Sequence, residues 1–438
     1  MHRRFLFFIL LFLALLGSSY AQAADLSDRE FRGVWVSTVY QLDYPATATT
    51  DPATLRKNAD EILDRVQTMG LTDVVLQVRP CADALYPSAL FPWSRFLTGT
   101  QGTAPADGFD PLAYWVEAAH KRHLFLHGWI NPFRVTISGS SEISGLSAKN
   151  PAVLHPEFVV NYKENLYFDP GLPAVRQLIA DSVAELVKNY DLDGIQLDDY
   201  FYPGTDFPDS ASYQAYGGSF ADLTHWRQDN INQLIQLLDN TIHQSKPEVL
   251  FGVSPAGIWC NDTTDRRGSH TAGSETLTTA YADSYTWVKQ GWVDYICPQI
   301  YWERGHSQAD YQTLVSWWAD TVKDTPVSLV IGMAAYKAQQ AQPDSPWYGT
   351  KELMGQLADN RKISGLSGAC FFRYGSLLAV DDLADELTAF YQTPFTPEQS
   401  DSLPEVTAPE TKPAAPSWRQ KILSFFHAFW TWLKNAIK

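Results

Sequence analysis

The 438-residue chain has few cysteines and few methionines, four of each, and few charges of either sign, 19% in all. Four cysteines cannot staple a chain of this length, so a disulfide-dense scaffold is excluded. Basic residues are outnumbered, 33 against 49 acidic, for a net charge of −16. That balance argues against a protein built to grip nucleic acid, whose phosphates need a basic surface. With 45% hydrophobic residues the chain is not disordered either. Also missing are a Gly-rich phosphate loop after the first strand-like run and a G-x-S-x-G elbow around Ser254. The first absence counts against a doubly wound dinucleotide fold, the second against a serine hydrolase. Aromatics, in contrast, are abundant: 15 Trp, 21 Tyr and 23 Phe. They suit a sugar cleft or a large core equally.

The two ends read differently from the middle. His2, Arg3 and Arg4 precede an apolar run from Phe5 to Leu16, and Ala21-Gln22-Ala23 looks like a cleavage site. Residues 1–23 therefore read as a secretory signal peptide, and export to the periplasm or cell envelope is expected. Residues 393–416, rich in Pro, Thr, Glu and Ala, read as an extended linker. Residues 417–438 carry Arg419, Lys421, Lys434 and Lys438 and no acid, with Ile422, Phe425, Phe426, Phe429 and Leu433 at helical spacing. Such a basic amphipathic helix suits a membrane surface, a divisome partner or packing on its own domain. The net charge is thus a composite of an acidic body and a cationic tail.

In residues 24–392, eight apolar strand-like runs alternate with helical patterns, predicting a single-domain α/β fold of (β/α)8 TIM-barrel type. The predicted strands are 31–39, 73–80, 124–133, 194–200, 250–256, 293–302, 328–336 and 368–374. A barrel keeps its chemistry at the C-terminal ends of its strands, and polar and aromatic groups collect there. Asp198 and Asp199 end the fourth strand. Close carboxylates can push one pKa up and leave an acid protonated near neutrality, and glycoside hydrolysis needs such an acid beside a second carboxylate. Arg79, Arg134 or Arg373 could supply the opposing charge. Arg79, Asp83, Trp129, Asn131, Gln299, Tyr301, Trp302, Tyr336 and Arg373 are the candidate sugar-binding residues. Glu303 is a further candidate carboxylate, or a solvated loop residue. No cofactor is called for, and His120, His123 and His127 are split between a helix end and a strand, which disfavours one metal site. Cys81, Cys260, Cys297 and Cys370 could form one or two disulfides or remain buried thiols.

At these residues the chain resembles the glycosyl hydrolase-like 10 family of exported bacterial (β/α)8 proteins. The resemblance rests on Phe31-Arg32-Gly33-Val34-Trp35, Gln77-Val78-Arg79-Pro80, His127 to Arg134, Asp169-Pro170-Gly171, Asp193 to Pro203, Gly252-Val253-Ser254-Pro255, Pro298 to Trp302 and Phe372-Arg373-Tyr374-Gly375. It implies glycosidase activity, on peptidoglycan strands stripped of their peptides in some members. More distantly, Asp193 to Tyr200 is similar to the D-G-x-D-x-D-x-E strand of family 18 chitinases. Asp193 and Asp198 match, whereas Gln196 replaces an Asp and Tyr200 replaces the acid Glu, leaving Asp199 as the nearest substitute. The expectation is a glycoside hydrolase of GlcNAc-containing glycans, most of all denuded peptidoglycan strands. A non-catalytic barrel that binds wall glycan is the alternative, and a glycosidase acting on an α-glucan is a third reading.

Overall fold

Runs of Val, Ile, Leu and aromatics long enough to be buried on both faces become parallel strands. The structure is a computed structural model that describes Leu26 and residues 29–393. Its strands are β1 (Phe31–Val36), β2 (Asp73–Arg79), β3 (Phe125–Ile130), β4 (Val159–Tyr162), β5 (Asn165–Phe168), β6 (Gly194–Leu197), β7 (Leu250–Val253), β8 (Tyr295–Ile296), β9 (Ser328–Met333) and β10 (Leu366–Phe371). Eight of them close into a barrel in the order β1-β10-β9-β8-β7-β6-β3-β2. Each predicted barrel strand is present, and so is the (β/α)8 architecture. The remaining two, β4 and β5, form an antiparallel hairpin outside the barrel that the sequence pattern did not announce. The predicted signal peptide, the linker beyond Thr393 and the basic C-terminal helix lie outside the described residues.

Helices occupy the connections, and their starts follow a common chemistry. Asp51 accepts from the amides of Ala53 and Thr54, with Pro52 at the first helical position of Pro52–Thr68. Asp110 does the same for Ala113 ahead of Pro111–His120, and Asp310 for Thr313 ahead of Tyr311–Val322. Each such cap contributes about 1 kcal/mol. The buried faces of these helices (Leu55, Leu63 and Val66 in the first) pack on outward strand residues such as Val74, Leu76 and Leu126. Fully burying one such side chain is worth about 2 kcal/mol.

Inward residues form a separate core of Phe31, Trp35, Val75, Trp129, Tyr295, Cys297, Val330 and Cys370. A polar chain runs through it. Trp35 Nε1 donates to Gln196 Oε1 at 2.6 Å, and Gln196 Nε2 donates to the Tyr295 hydroxyl at 3.2 Å. Tyr295 meets His127 Nδ1 at 3.2 Å, and His127 Nε2 meets Asp73 Oδ1 at 3.3 Å. Arg29 closes the chain with two 2.7 Å bonds to Asp73. Burial works against the Asp73 charge, but Arg29 and His127 outweigh it and hold the carboxyl below the usual range. Room for these side chains comes from glycine: a Cβ on Gly194 would stand 2.2 Å from the His127 ring, and one on Gly252 2.0 Å from that of Tyr295. All four cysteines are buried free thiols.

The barrel seam, where the first strand meets the last, is held by charge as well. Arg361 places Nε and Nη2 2.9 Å from the two Glu30 oxygens. Nearer the mouth, Arg373 pairs with Asp43 and donates to Leu42 O at 2.7 Å.

The predicted strands overran their observed ends. The sixth was expected over 293–302, whereas β8 spans Tyr295–Ile296. Pro298 has no N–H for the ladder, and Gln299 continues only through isolated bridges to Ala256 and Gly332. The residues beyond each strand have left the sheet and are free to line the mouth.

Candidate active site

Alternation along β6 sends Gln196 into the lumen and Asp198, two residues on, into the mouth above it. Asp198 is 3% exposed. Its Oδ2 accepts from Trp129 Nε1 at 3.0 Å and from Asn131 Nδ2 at 3.0 Å. Oδ1 faces the Tyr200 amide at 3.3 Å. Asn131 is itself fixed, since its Oδ1 accepts from the Arg134 amide at 2.9 Å. Asp199 is half-buried beside it. Its carboxyl accepts from the Gln299 side chain, whose Nε2 also donates to Ser254 O at 2.9 Å.

Burial raises the proton affinity of both carboxyls. Burial, the Asp199 charge and a partial offset from Arg134, Trp129 and Asn131 leave Asp198 pushed up to about 6. Burial also raises Asp199, against the pull of the Gln299 hydrogen bond and Arg134. Two neighbouring carboxyls with raised affinity share a proton over a range where isolated aspartates have none. Of the three arginines considered, Arg134 supplies the opposing charge. Its Nε and Nη2 donate to Pro80 O at 3.0 and 2.8 Å, and its guanidinium lies 5.1 Å from the Tyr200 ring centroid.

An aromatic wall stands beside the carboxyls. Phe372 meets Trp35 at 6.0 Å, Trp129 at 6.4 Å, Tyr301 at 6.3 Å and Tyr336 at 6.1 Å between ring centroids. Burial, together with the Asp199 charge, holds the Tyr301 hydroxyl protonated well above its ordinary range. Tyr200 is 51% exposed at the rim.

Of the predicted site residues, the structure brings together Asp198, Asp199, Trp129, Asn131, Gln299, Tyr301 and Tyr336. Trp302 follows them, half-buried, with its carbonyl accepting from Gln356 at 3.0 Å. Three others are engaged elsewhere. Arg79 turns toward the helix layer, where it donates to Ser182 and covers the Phe91 ring at 4.7 Å. Asp83 is 1% exposed and bonded to Ser94 and Gln101 within the loop after β2, and burial pushes it up to about 6. Arg373 is committed to Asp43 at the seam. Glu303 Oε2 accepts from Trp347 Nε1 at 3.1 Å, so that carboxylate braces an indole. His120 pairs with Asp193 at 2.9 Å, away from His127. Phe372, the hub of the wall, was not among the candidates. Its sequence signals were its place at the head of the Phe372-Arg373-Tyr374-Gly375 motif and its position two residues beyond the inward Cys370.

A barrel whose mouth holds paired carboxyls, amides and an aromatic wall is of the glycoside hydrolase-like kind. Comparison with known proteins agrees. Residues 30–349 match the family described as glycosyl hydrolase-like 10, and the chain belongs to that family. Glycosyl hydrolase YngK of Bacillus subtilis (strain 168) is 43% identical over 352 residues, 79% of this chain and 68% of that protein. Glycosyl hydrolase DigH of Escherichia coli (strain K12) is 39% identical over 378 residues, 82% of this chain and 86% of that protein. Among solved structures, the PgaB (BpsB) glycoside hydrolase domain from Bordetella bronchiseptica shares the fold. Its TM-score is 0.56 at 14% identity, covering 82% of this chain and 98% of that one. An endo-beta-1,4-mannanase from Thermotoga petrophila shares it too, with a TM-score of 0.51 at 12% identity, over 86% of this chain and 80% of that one.

Proposed function

We propose that the protein is an exported glycoside hydrolase that cleaves GlcNAc-containing glycans, with peptidoglycan strands stripped of their peptides as its substrate. The observation that carries this reading is the Asp198–Asp199 pair, raised in pKa and set beside an aromatic wall at the barrel mouth. One carboxyl of the pair holds the shared proton and passes it to the glycosidic oxygen, and the other, ionised, faces the developing positive charge or orients the acetamido group. Asp198 is fixed for either task by Trp129, Asn131 and the Tyr200 amide. Trp129, Phe372 and Tyr336 offer faces to the pyranose rings, while Gln299 and Tyr301 hydrogen-bond the sugar.

The cell envelope is the proposed location, and the basic C-terminal helix the proposed contact with a membrane surface or a divisome partner. Reducing-end release from purified denuded strands tests the assignment. The wild type should release them, and Asp198→Asn and Asp199→Asn should not. Full turnover by both variants would remove the pair from the chemistry. Binding of the strands without release by the wild type would establish instead a glycan-binding barrel, the reading that Tyr200 in place of a chitinase-type Glu favours.

A further inference from the structure

A cavity of about 540 Å³ that the chemistry above does not use opens between two connections of the barrel. One wall is β4 with Asp169, in the connection after β3. The other is the short helix Ser210–Tyr216 with Asp209, in the connection after β6. β3 carries Trp129, and β6 leads into Asp198 and Asp199. Both connections leave the C-terminal ends of their strands, so the cavity lies on the face of the barrel that carries the paired carboxyls. The hairpin sets the separation. Arg134 bridges to Tyr167 of β5, Tyr167 pairs with Val160 of β4, and Val160 lines the cavity. Two strand spacings, about 10 Å, therefore lie between Arg134 and the cavity wall.

Asp169 heads the Asp169-Pro170-Gly171 motif, to which the site at the mouth gives no role. It is 5% exposed, and its Oδ1 accepts from the Gly171 amide at 2.8 Å. Ser212 Oγ also faces it, but that hydroxyl has one proton, for which Asp209 O competes from 2.9 Å. Arg227 acts on Asp169 only through space, because its guanidinium is spent on Asp209, with Nη2 at 2.6 Å and Nε at 2.8 Å. A buried carboxyl so short of donors is costly, and a ligand rich in hydroxyls relieves the shortage. Tyr216, 50% exposed, stands in the opposite wall, and exposed Asn161 adds an amide to the lining. A ring face, an amide and an acceptor are the contacts that a sugar takes. No Lys, Arg or His lines the cavity, whereas Glu157 joins Asp169 and Asp209 there. A sugar bearing a carboxylate would be repelled. We infer that this cavity is a distal subsite that seats an uncharged sugar ring of the glycan against Tyr216, outside the site where the bond is cut.

The inference rests on the proposed glycan ligand, but its test is equilibrium binding and needs no turnover. Full-length protein carrying Asp199→Asn, which should hold strands without cutting them, is titrated with denuded strands and with disaccharide fragments of them. A disaccharide can fill the site at the carboxyls but cannot span the two sites. Adding Tyr216→Ala should weaken strand binding about tenfold, the value of one aromatic stacking contact. Disaccharide binding should stay near that of the parent. Asn161→Ala should act in the same direction to a smaller extent, and because both residues are exposed neither change should disturb folding. Strand affinity that is unchanged in both variants would overturn the inference. So would a loss shared equally by strands and disaccharides. If the wild type releases no reducing ends but strands bind, the hydrolase reading falls and the distal subsite is still decided. If strands do not bind at all, both readings fall together.

Discussion

Trp129 donates its indole N–H to Oδ2 of Asp198 at 3.0 Å, which ties β3 to the carboxylate at the end of β6. The bond favours the ionised form of Asp198. Trp129→Phe removes the donor and keeps most of the aromatic face. The Asp198 pKa should then rise from about 6. The limb of the kcat/KM profile that reports Asp198 should therefore move to higher pH. Loss of one hydrogen bond to a charged group should move that limb by about one to two pH units. A pH–rate profile of both proteins on denuded strands is the measurement.

Asp83 carries a prediction about stability. Its carboxyl is pushed up to about 6 by burial, and its Oδ1 has no hydrogen-bond partner. The folded state therefore binds the Asp83 proton more tightly than the unfolded chain, where an aspartate titrates near 4. The resulting contribution is most favourable below about pH 4 and is lost as pH rises through about 6. Asp83→Asn should stabilise the protein at pH 7–8 by on the order of 2 kcal/mol, a few degrees in Tm. By pH 4 the difference should have vanished. Melting curves across that range decide the matter.

At the seam, Arg373→Ala should act on folding rather than on sugar binding. It strips Asp43, whose side chain is fully buried, of its ion pair. Burial already raises the Asp43 pKa against the pull of Arg373, and removal of the arginine should raise it further. Removing one partner of a buried pair costs about 3 kcal/mol. Urea denaturation should show that loss, with KM for denuded strands close to wild type. A large rise in KM at unchanged stability would return Arg373 to the sugar-binding set.

Truncation after Pro416 removes Arg419, Lys421, Lys434 and Lys438 together with the apolar stripe. Vesicle sedimentation at low salt should show the full chain bound to anionic lipid and the truncated chain free, with equal hydrolysis by both. Full-length protein that stays in the supernatant would refute the surface-helix proposal.

The barrel was legible in the sequence because buried parallel strands write near-continuous apolar runs, and because helical patterns alternate with them. The β4–β5 hairpin was not, since Val159, Val160 and Asn165 are only partly buried and carry little pattern. Alternation was enough to aim Asp198, Trp129 and Asn131 at the mouth. It failed for Arg79, because the register between β2 and β3 shifts between Gln77 and Arg79. A shifted register changes which way the next side chain points, and no residue type at that position announces it. Phe372 stood in a quoted motif, but its role escaped notice because an aromatic at a strand end looks the same whether it lines a mouth or fills a core.

The seam has a consequence for how the molecule comes to exist. β1 pairs with β10, and the Glu30–Arg361 bridge that fastens them joins residues 331 apart in the chain. The first strand must wait for the last before its edge is covered. Contacts so distant are entropically slow to form, and until they form β1 presents an open edge on which another chain could grow. A chain that has not yet reached β10 cannot complete the barrel, so closure waits for the residues through Phe371.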